Sequence, residues 1–367
     1  MASPAAARRP LRVYGSRISY FTGKLEAYLR YKEIAYDFVA MTPLVRARVR
    51  RRTGTSQMPA VELPDGRFMT DTTPMIAWLE TQHREPAVIP ADPLQGFVSR
   101  LVEDYADEWL WRPALHYRWS HRGDALLLSR RIVDEMLGRV PLPGWLLRFG
   151  IRRRQIGRYV RGDGVTRATR AHVESVYLRS LDQLSAIFER RSFLLGERPT
   201  LADFGFFASM FRHFGLDPTP AAVMLVRAPT VFAWLGRVWN ARGSQHRGGL
   251  VSGIPDDWAP LLREIGASYL PYLAANAQSW KEGRRRFDFE IEAARYRDLP
   301  ASRYRVWCLE RLRAHFEALG GGARDEARRL LEASGCWEAL WRVEAPASGY
   351  DLAGEAPFAP GIPVFRG

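Results

Sequence analysis

The chain reads as an α+β protein of two domains, a small mixed layer followed by an all-helical body, with a mostly helical C-terminal extension. Three observations predict this. Strand and helix patterns alternate only between Leu11 and His83, strand signals nearly vanish after Phe97, and a Pro-rich stretch separates the two regimes. At 367 residues the chain also exceeds what one ordinary core organises.

Leu11 to Tyr14 is a short apolar run stopped by Gly15, as expected of a buried strand. From Thr22 to Lys32 the apolar residues Leu25, Tyr28 and Leu29, together with Phe21, recur at helical spacing. Ile34 to Met41, with Tyr36, Phe38 and Val39, alternates as a second strand, parallel to the first by the handedness of such crossovers. Leu44 to Arg52 is arginine-rich with little apolar surface, a surface helix or loop at best. Pro59 to Leu63 and Arg67 to Met69 flank the turn Pro64-Asp65-Gly66 as a hairpin. Thr72 to Gln82 follows as a helix, with Asp71 or Thr72 at its cap and Pro74 in its first turn, where a missing amide proton costs nothing. Strand-helix-strand, then hairpin-helix, is the plan of a thioredoxin-like layer.

The spacing places this layer at 11–83, a linker with Pro86, Pro90 and Pro93 at 84–96, the helical domain at 97–256 and the extension at 257–367. Helices are expected over Phe97–Tyr117, Leu126–Gly138, Arg167–Arg190, Leu201–Phe214 and Thr230–Arg242. Pro141 to Tyr159, with Trp145, Phe149 and the triplet Arg152-Arg153-Arg154, reads as an inserted excursion over the helical domain; a membrane-surface segment is the weaker alternative. The extension is expected to be helical through Arg295, then over Tyr304–Leu319 and Ala323–Trp341, and to pack back on the helical body near the site entrance.

Composition narrows the function. The net charge is +14, with 51 Arg and three Lys, yet no paired Cys/His spacing or Gly-aromatic strand box supports nucleic-acid binding. No apolar run reaches the length of a membrane span. Met1 to Pro10 lacks the apolar middle of a secretory signal, and Cys308 and Cys336 stand apart as buried thiols of a reducing compartment; together they point to the cytoplasm.

Four segments in order carry a family resemblance. Ser19-Tyr20-Phe21 with Lys24-Leu25 and then Ile34-Ala35-Tyr36, Gln57-Met58-Pro59-Ala60, Asp71-Thr72-Thr73-Pro74-Met75, and Arg198-Pro199-Thr200-Leu201-Ala202-Asp203-Phe204 are similar to the corresponding segments of the cytosolic glutathione transferases, in particular the serine- and cysteine-type classes. The resemblance covers roughly residues 11 to 245 and leaves the extension without a counterpart. It implies glutathione as co-substrate, attack of its thiolate on a small hydrophobic electrophile as in detoxification, a homodimer and no metal. Ser19 falls where those classes keep the residue that meets the sulfur; Tyr14 and Ser16 are the rivals. Pro59 matches the family's cis-proline, beside which the Met58 backbone would pair with the extended tripeptide. Thr72 would hold the γ-glutamyl carboxylate and Asp71 face the α-amino group, while Gln57 or one of Arg46, Arg48 and Arg50 would meet the glycyl end. Tyr20 stands where many members have proline. Two further readings are a non-catalytic interaction module on the same body and a dedicated glutathione-dependent lyase or isomerase.

A hydroxyl at a helix start suits this chemistry, because a donor to sulfur and the aligned amides of the first turn both favour the thiolate. The electrophile is expected among Tyr105, Trp109, Arg112 and His116, since Tyr105, Trp109 and Arg112 share a helix face; a core stripe is the blander reading. His116 and His121 have no metal-type spacing and read as satisfied polar residues. Thr200 with Asp203 is a structural capping box.

Overall fold

A computed structural model describes residues 10–362 of the protein. The Ala- and Arg-rich start on which the expected location rests lies mostly outside the described residues, as does the very end of the extension. The N-terminal layer contains β1 (Leu11–Gly15), α1 (Tyr20–Tyr31), β2 (Tyr36–Ala40), α2 (Pro43–Thr53), β3 (Ala60–Glu62), β4 (Phe68–Thr70) and α3 (Thr72–Gln82). Its sheet has the order β2-β1-β3-β4. β1 and β2 are parallel with Val13 opposite Phe38, and β3 runs antiparallel to both β1 and β4 with Val61 opposite Val13 and Met69. Val13, Val61 and Met69 are fully buried because successive side chains of a strand alternate between the two faces.

The arginine-rich run forms a helix, α2, though only Val49 and Thr53 of it are buried. The helical body follows with α4 (Pro93–Glu108), α5 (Trp111–Ser120), α6 (Arg122–Ile132), α7 (Gly144–Gln155), α8 (Arg170–Phe188), α9 (Leu201–Ser209), α10 (Pro218–Arg227) and α11 (Pro229–Asn240). The single helix expected over Phe97–Tyr117 is broken at Trp109–Leu110 into α4 and α5. The capping box is present: Thr200 N and Oγ1 both donate to the Asp203 carboxylate, at 2.9 and 3.0 Å. That carboxylate also accepts from Leu194 N and Trp234 Nε1, pinning α9 in the core. Among the described residues no single helix is long and apolar enough to cross a membrane; α10 and α11 reach that measure only together, bent by 112°.

The extension differs from its expected form. α12 (Ala259–Glu264) and α13 (Leu270–Lys281) are helical, but the chain then makes a hairpin, β5 (Arg286–Ile291) and β6 (Ala294–Pro300), before α14 (Arg303–Glu317), α15 (Gly321–Ala333) and α16 (Cys336–Trp341). The reason is legible in Arg286-Phe287-Asp288-Phe289-Glu290-Ile291, where apolar residues recur every second position and are the buried ones. The extension packs on the helical body through a buried ion network. Arg305 of α14 lies 3.3 Å from Glu108 of α4 and 3.8 Å from Asp163, and donates to the Tyr272 hydroxyl. Arg112 of α5 meets the same Asp163 at 3.2 Å.

Candidate active site

A cavity of about 500 Å³ opens between the layer and the helical body. Ser19, Gln57, Met58, Pro59, Asp71 and Thr72 all line it. They come from three turns at one end of the sheet: the turn after β1, the turn before β3 and the turn after β4.

Ser19 caps α1, with its Oγ accepting weakly from Thr22 N at 3.4 Å. Accepting leaves the hydroxyl proton free to point into the cavity. The two rivals are placed otherwise. Ser16 also lines the cavity, but its hydroxyl donates to Glu135 at 2.6 Å. Tyr14 is buried in a separate small cluster, stacked on Phe68, and donates to Glu62; it does not line the cavity. Tyr20 also lines the cavity, but its hydroxyl is engaged, donating to the Ala106 carbonyl at 2.5 Å, and its ring lies against Trp111 and His213. It thereby fixes the Ser19 turn to α4 and α5.

The Met58–Pro59 bond is cis, and Pro59 is buried while Met58 is half-buried. Gln57 is exposed and accepts from the Thr55 hydroxyl at 3.2 Å. Asp71 caps α3 by accepting from Thr73 N at 3.3 Å, with a φ of 70° that few residues other than glycine adopt. Burial pushes its carboxyl up to about 6, against the opposing pull of the Tyr304 hydroxyl and Lys24. Lys24 itself is buried; burial favours its neutral form, but Asp107 and Glu103, the latter at 2.5 Å, outweigh that and hold it charged.

The four residues expected at the electrophile wall do not line this cavity. Tyr105 and Trp109 point from α4 into the core, where Tyr269 of the extension covers both rings. Arg112 is held by Asp163 and lies 4.8 to 5.1 Å from the rings of Trp109, Tyr272 and Tyr296. His116 bonds Glu174 at 3.0 Å, and burial lowers its pKa. Their shared face is therefore covered by α8 and the extension. The next face of α5 supplies the wall instead, with Trp111, Leu115 and Trp119 one turn apart, joined by Ile132 of α6 and Ile151 of α7. The spacing of Trp111 and Leu115 was the available signal.

The extension contributes residues that the sequence did not point to. Tyr304, Tyr350, Gly361 and Ile362 line the cavity. The final segment is strapped across the layer, because Thr70 N donates to the Pro357 carbonyl at 3.0 Å and Gly361 N to the Thr53 carbonyl at 3.1 Å. A Cβ on Gly361 would stand 2.7 Å from the Thr55 methyl, so glycine is required for that approach. As for metal, His116, His121 and Glu174 bring three donor atoms within 4.8 Å of one another, outside the cavity; they are the group among the described residues that could hold an ion.

A thioredoxin-like layer whose turns face a helical domain across a common cavity defines the class of the protein. The family model of the glutathione S-transferase N-terminal domain matches residues 13–87, and that of the C-terminal domain matches residues 171–241. The chain thus carries stretches similar to both glutathione S-transferase domains, in that order. Among solved structures it is similar to the beta-etherase LigF from Sphingobium sp. strain SYK-6, at 21% identity and a TM-score of 0.45, over 63% of this chain and 95% of that one. A glutathione S-transferase from Rhodospirillum rubrum F11 matches at 20% identity and a TM-score of 0.42, over 67% and 95%. One from Methylobacterium radiotolerans, in complex with glutathione sulfonate, matches at 18% and 0.40, over 68% and 99%. No curated protein matches the chain.

Proposed function

We propose that the protein is a glutathione transferase in which Ser19 stabilises the thiolate of glutathione for attack on a hydrophobic electrophile. The observation that carries this reading is that Ser19, the Met58–Pro59 turn and the Asp71–Thr72 helix start all line one cavity. The γ-glutamyl carboxylate lies at the start of α3 with the Thr72 hydroxyl, where the amides of the first turn favour an anion. The α-ammonium faces Asp71, the cysteinyl backbone runs along Met58, and the glycyl carboxylate reaches toward Gln57 and α2. Arg48 is bound to Glu62 at 2.8 Å and stands outside the cavity, which leaves Arg46 and Arg50 for that end.

With the tripeptide so laid, the sulfur sits over the start of α1. The Ser19 hydroxyl donates to it and, with the helix dipole, favours loss of the thiol proton to solvent. The sulfur lone pair then forms the carbon–sulfur bond at the electrophilic centre, and the leaving group departs with the pair from the bond it breaks. Retention on immobilised glutathione followed by turnover of 1-chloro-2,4-dinitrobenzene tests this; retention without turnover would remove general transferase activity and leave a dedicated lyase or isomerase.

A non-catalytic module is favoured by one observation, the closeness of Tyr304 and Tyr350 to the Asp71 end of the cavity. Failure to bind glutathione, together with a stoichiometric partner, would support it. The homodimer and the cytoplasmic setting belong to the same proposal, and sizing chromatography reads the first.

A further inference from the structure

The cavity has two electrically different ends. Its acidic end holds Asp71, Asp107 and Glu108, while four arginines line the other: Arg46 and Arg50, one turn apart on α2, and Arg154 and Arg158, one turn apart on α7 and its continuation. The four guanidiniums share this end of the cavity with Tyr159; burial lowers the Arg46 pKa, and Arg154, Arg50 and Arg158 lower it further against the opposing pull of Tyr159.

These arginines differ from their neighbours in lacking anionic partners among the described residues. Arg48 pairs with Glu62, Arg152 donates to Ser129 at 3.1 Å, and Arg118, which also lines the cavity, is held by Asp217 at 2.7 Å. Arg46 reaches only the Ser56 hydroxyl, at 3.1 Å, and the buried Nε of Arg158 has no hydrogen-bond partner. Clustered like charges raise one another's energy unless an anion is supplied. One glycyl carboxylate engages a single guanidinium fork, or two at most, so the α2 pair suffices for it and the α7 pair is left over.

The α7 pair adjoins the apolar wall. Ile151, one turn before Arg154, lines the cavity with Trp111 and Leu115, and the Trp111 ring is stacked with Phe21 at 5.8 Å. A ligand lying on this wall places its far end at Arg154 and Arg158.

We propose that the second substrate is a flat apolar molecule bearing a carboxylate, sulfonate or phosphate, its body against Trp111, Leu115 and Ile151 and its anion on Arg154 and Arg158. This rests on the transferase reading for the word substrate, but not for binding. The test is therefore calorimetric titration of the full chain, without glutathione, using 2-naphthalenesulfonate and its uncharged isostere 2-naphthalenesulfonamide. The sulfonate is expected to bind ~10-fold more tightly, with the margin shrinking as salt is raised. The double variant Arg154→Gln, Arg158→Gln, with an unchanged circular dichroism spectrum, should bring the sulfonate to the affinity of the sulfonamide. Equal binding of the two ligands by the unaltered protein overturns the proposal, as does a preference that survives in the double variant. So does a variant that loses glutathione affinity while keeping the preference, since the α7 pair would then serve the glycyl end. Absence of turnover with chlorodinitrobenzene would sink the transferase reading and leave the sulfonate result standing.

Discussion

The wall that carries Ser19, Met58 and Thr72 is made of turns, whereas the facing wall with Trp111, Leu115 and Ile151 is made of helix faces brought together from distant parts of the chain. In the first, each functional group follows from chemistry within a few residues: a serine capping a helix, an X-Pro pair before a strand, an acidic-hydroxyl pair at a helix start. In the second, which face of α4 and α5 meets the cavity depends on what covers the other face. Here α8 and the extension do, through Tyr269, Tyr272 and the Arg305 network. Turn-built sites thus survive changes in the surrounding body, while helix-built walls are reassigned by them.

The largest expected effect breaks the helix-built side. Arg305→Ala leaves Glu108 buried without its cation, while Asp163 keeps Arg112, and removing one partner of a buried pair costs about 3–5 kcal/mol. Thermal unfolding followed by calorimetry should show a large drop in Tm, and an unchanged Tm would detach the extension from the stability of the body.

Next, Ser19→Ala should lower kcat/KM toward chlorodinitrobenzene by ~10²-fold, on the scale of losing one donor to a developing anion, with glutathione affinity nearly kept. If Ser16→Ala costs more than Ser19→Ala, the assignment between the two serines of this turn is wrong.

Asp71 gives a smaller, pH-dependent effect. With a folded pKa of about 6, its carboxylate is charged at pH 7 and takes up a proton as pH falls through 6. The charge facing the α-ammonium is then lost, and glutathione affinity should fall by about tenfold toward pH 5. In Asp71→Asn the titration should be flat across this range; a persisting pH dependence would place the ammonium elsewhere.

The smallest effect lies where the two regions meet. Tyr304 lowers the Asp71 pKa, so in Tyr304→Phe the acid limb of the binding profile should move to higher pH. The change in affinity at pH 8 should stay within about 1 kcal/mol. No movement of the limb would mean that the extension only borders the site.

The sequence by itself determined the strand-helix order of the layer, the capping box at Thr200 and the cluster of turn residues at the candidate site, because these depend on periodicity and local backbone chemistry. Val13 could be placed in a strand because a short apolar run ends at Gly15, Phe38 because a pleat imposes a period of two, Val61 and Met69 because a tight turn joins their segments, and Ser19 at a cap because a first helical turn leaves amides unpaired. The hairpin at Arg286–Pro300 had the same period of two, but short alternating runs between helices are ambiguous without a partner strand.

Only the tertiary structure decided that Tyr105, Trp109 and Arg112 belong to the core and Trp111, Leu115 and Trp119 to the cavity. Both stripes have helical spacing, and periodicity names a face without naming what it meets. Tertiary structure likewise brought Tyr304, Tyr350 and Gly361 to the layer and Arg158 to within reach of Arg46. Those pairs lie more than a hundred residues apart, and contacts at such separation are set by how whole faces pack, which no local pattern records.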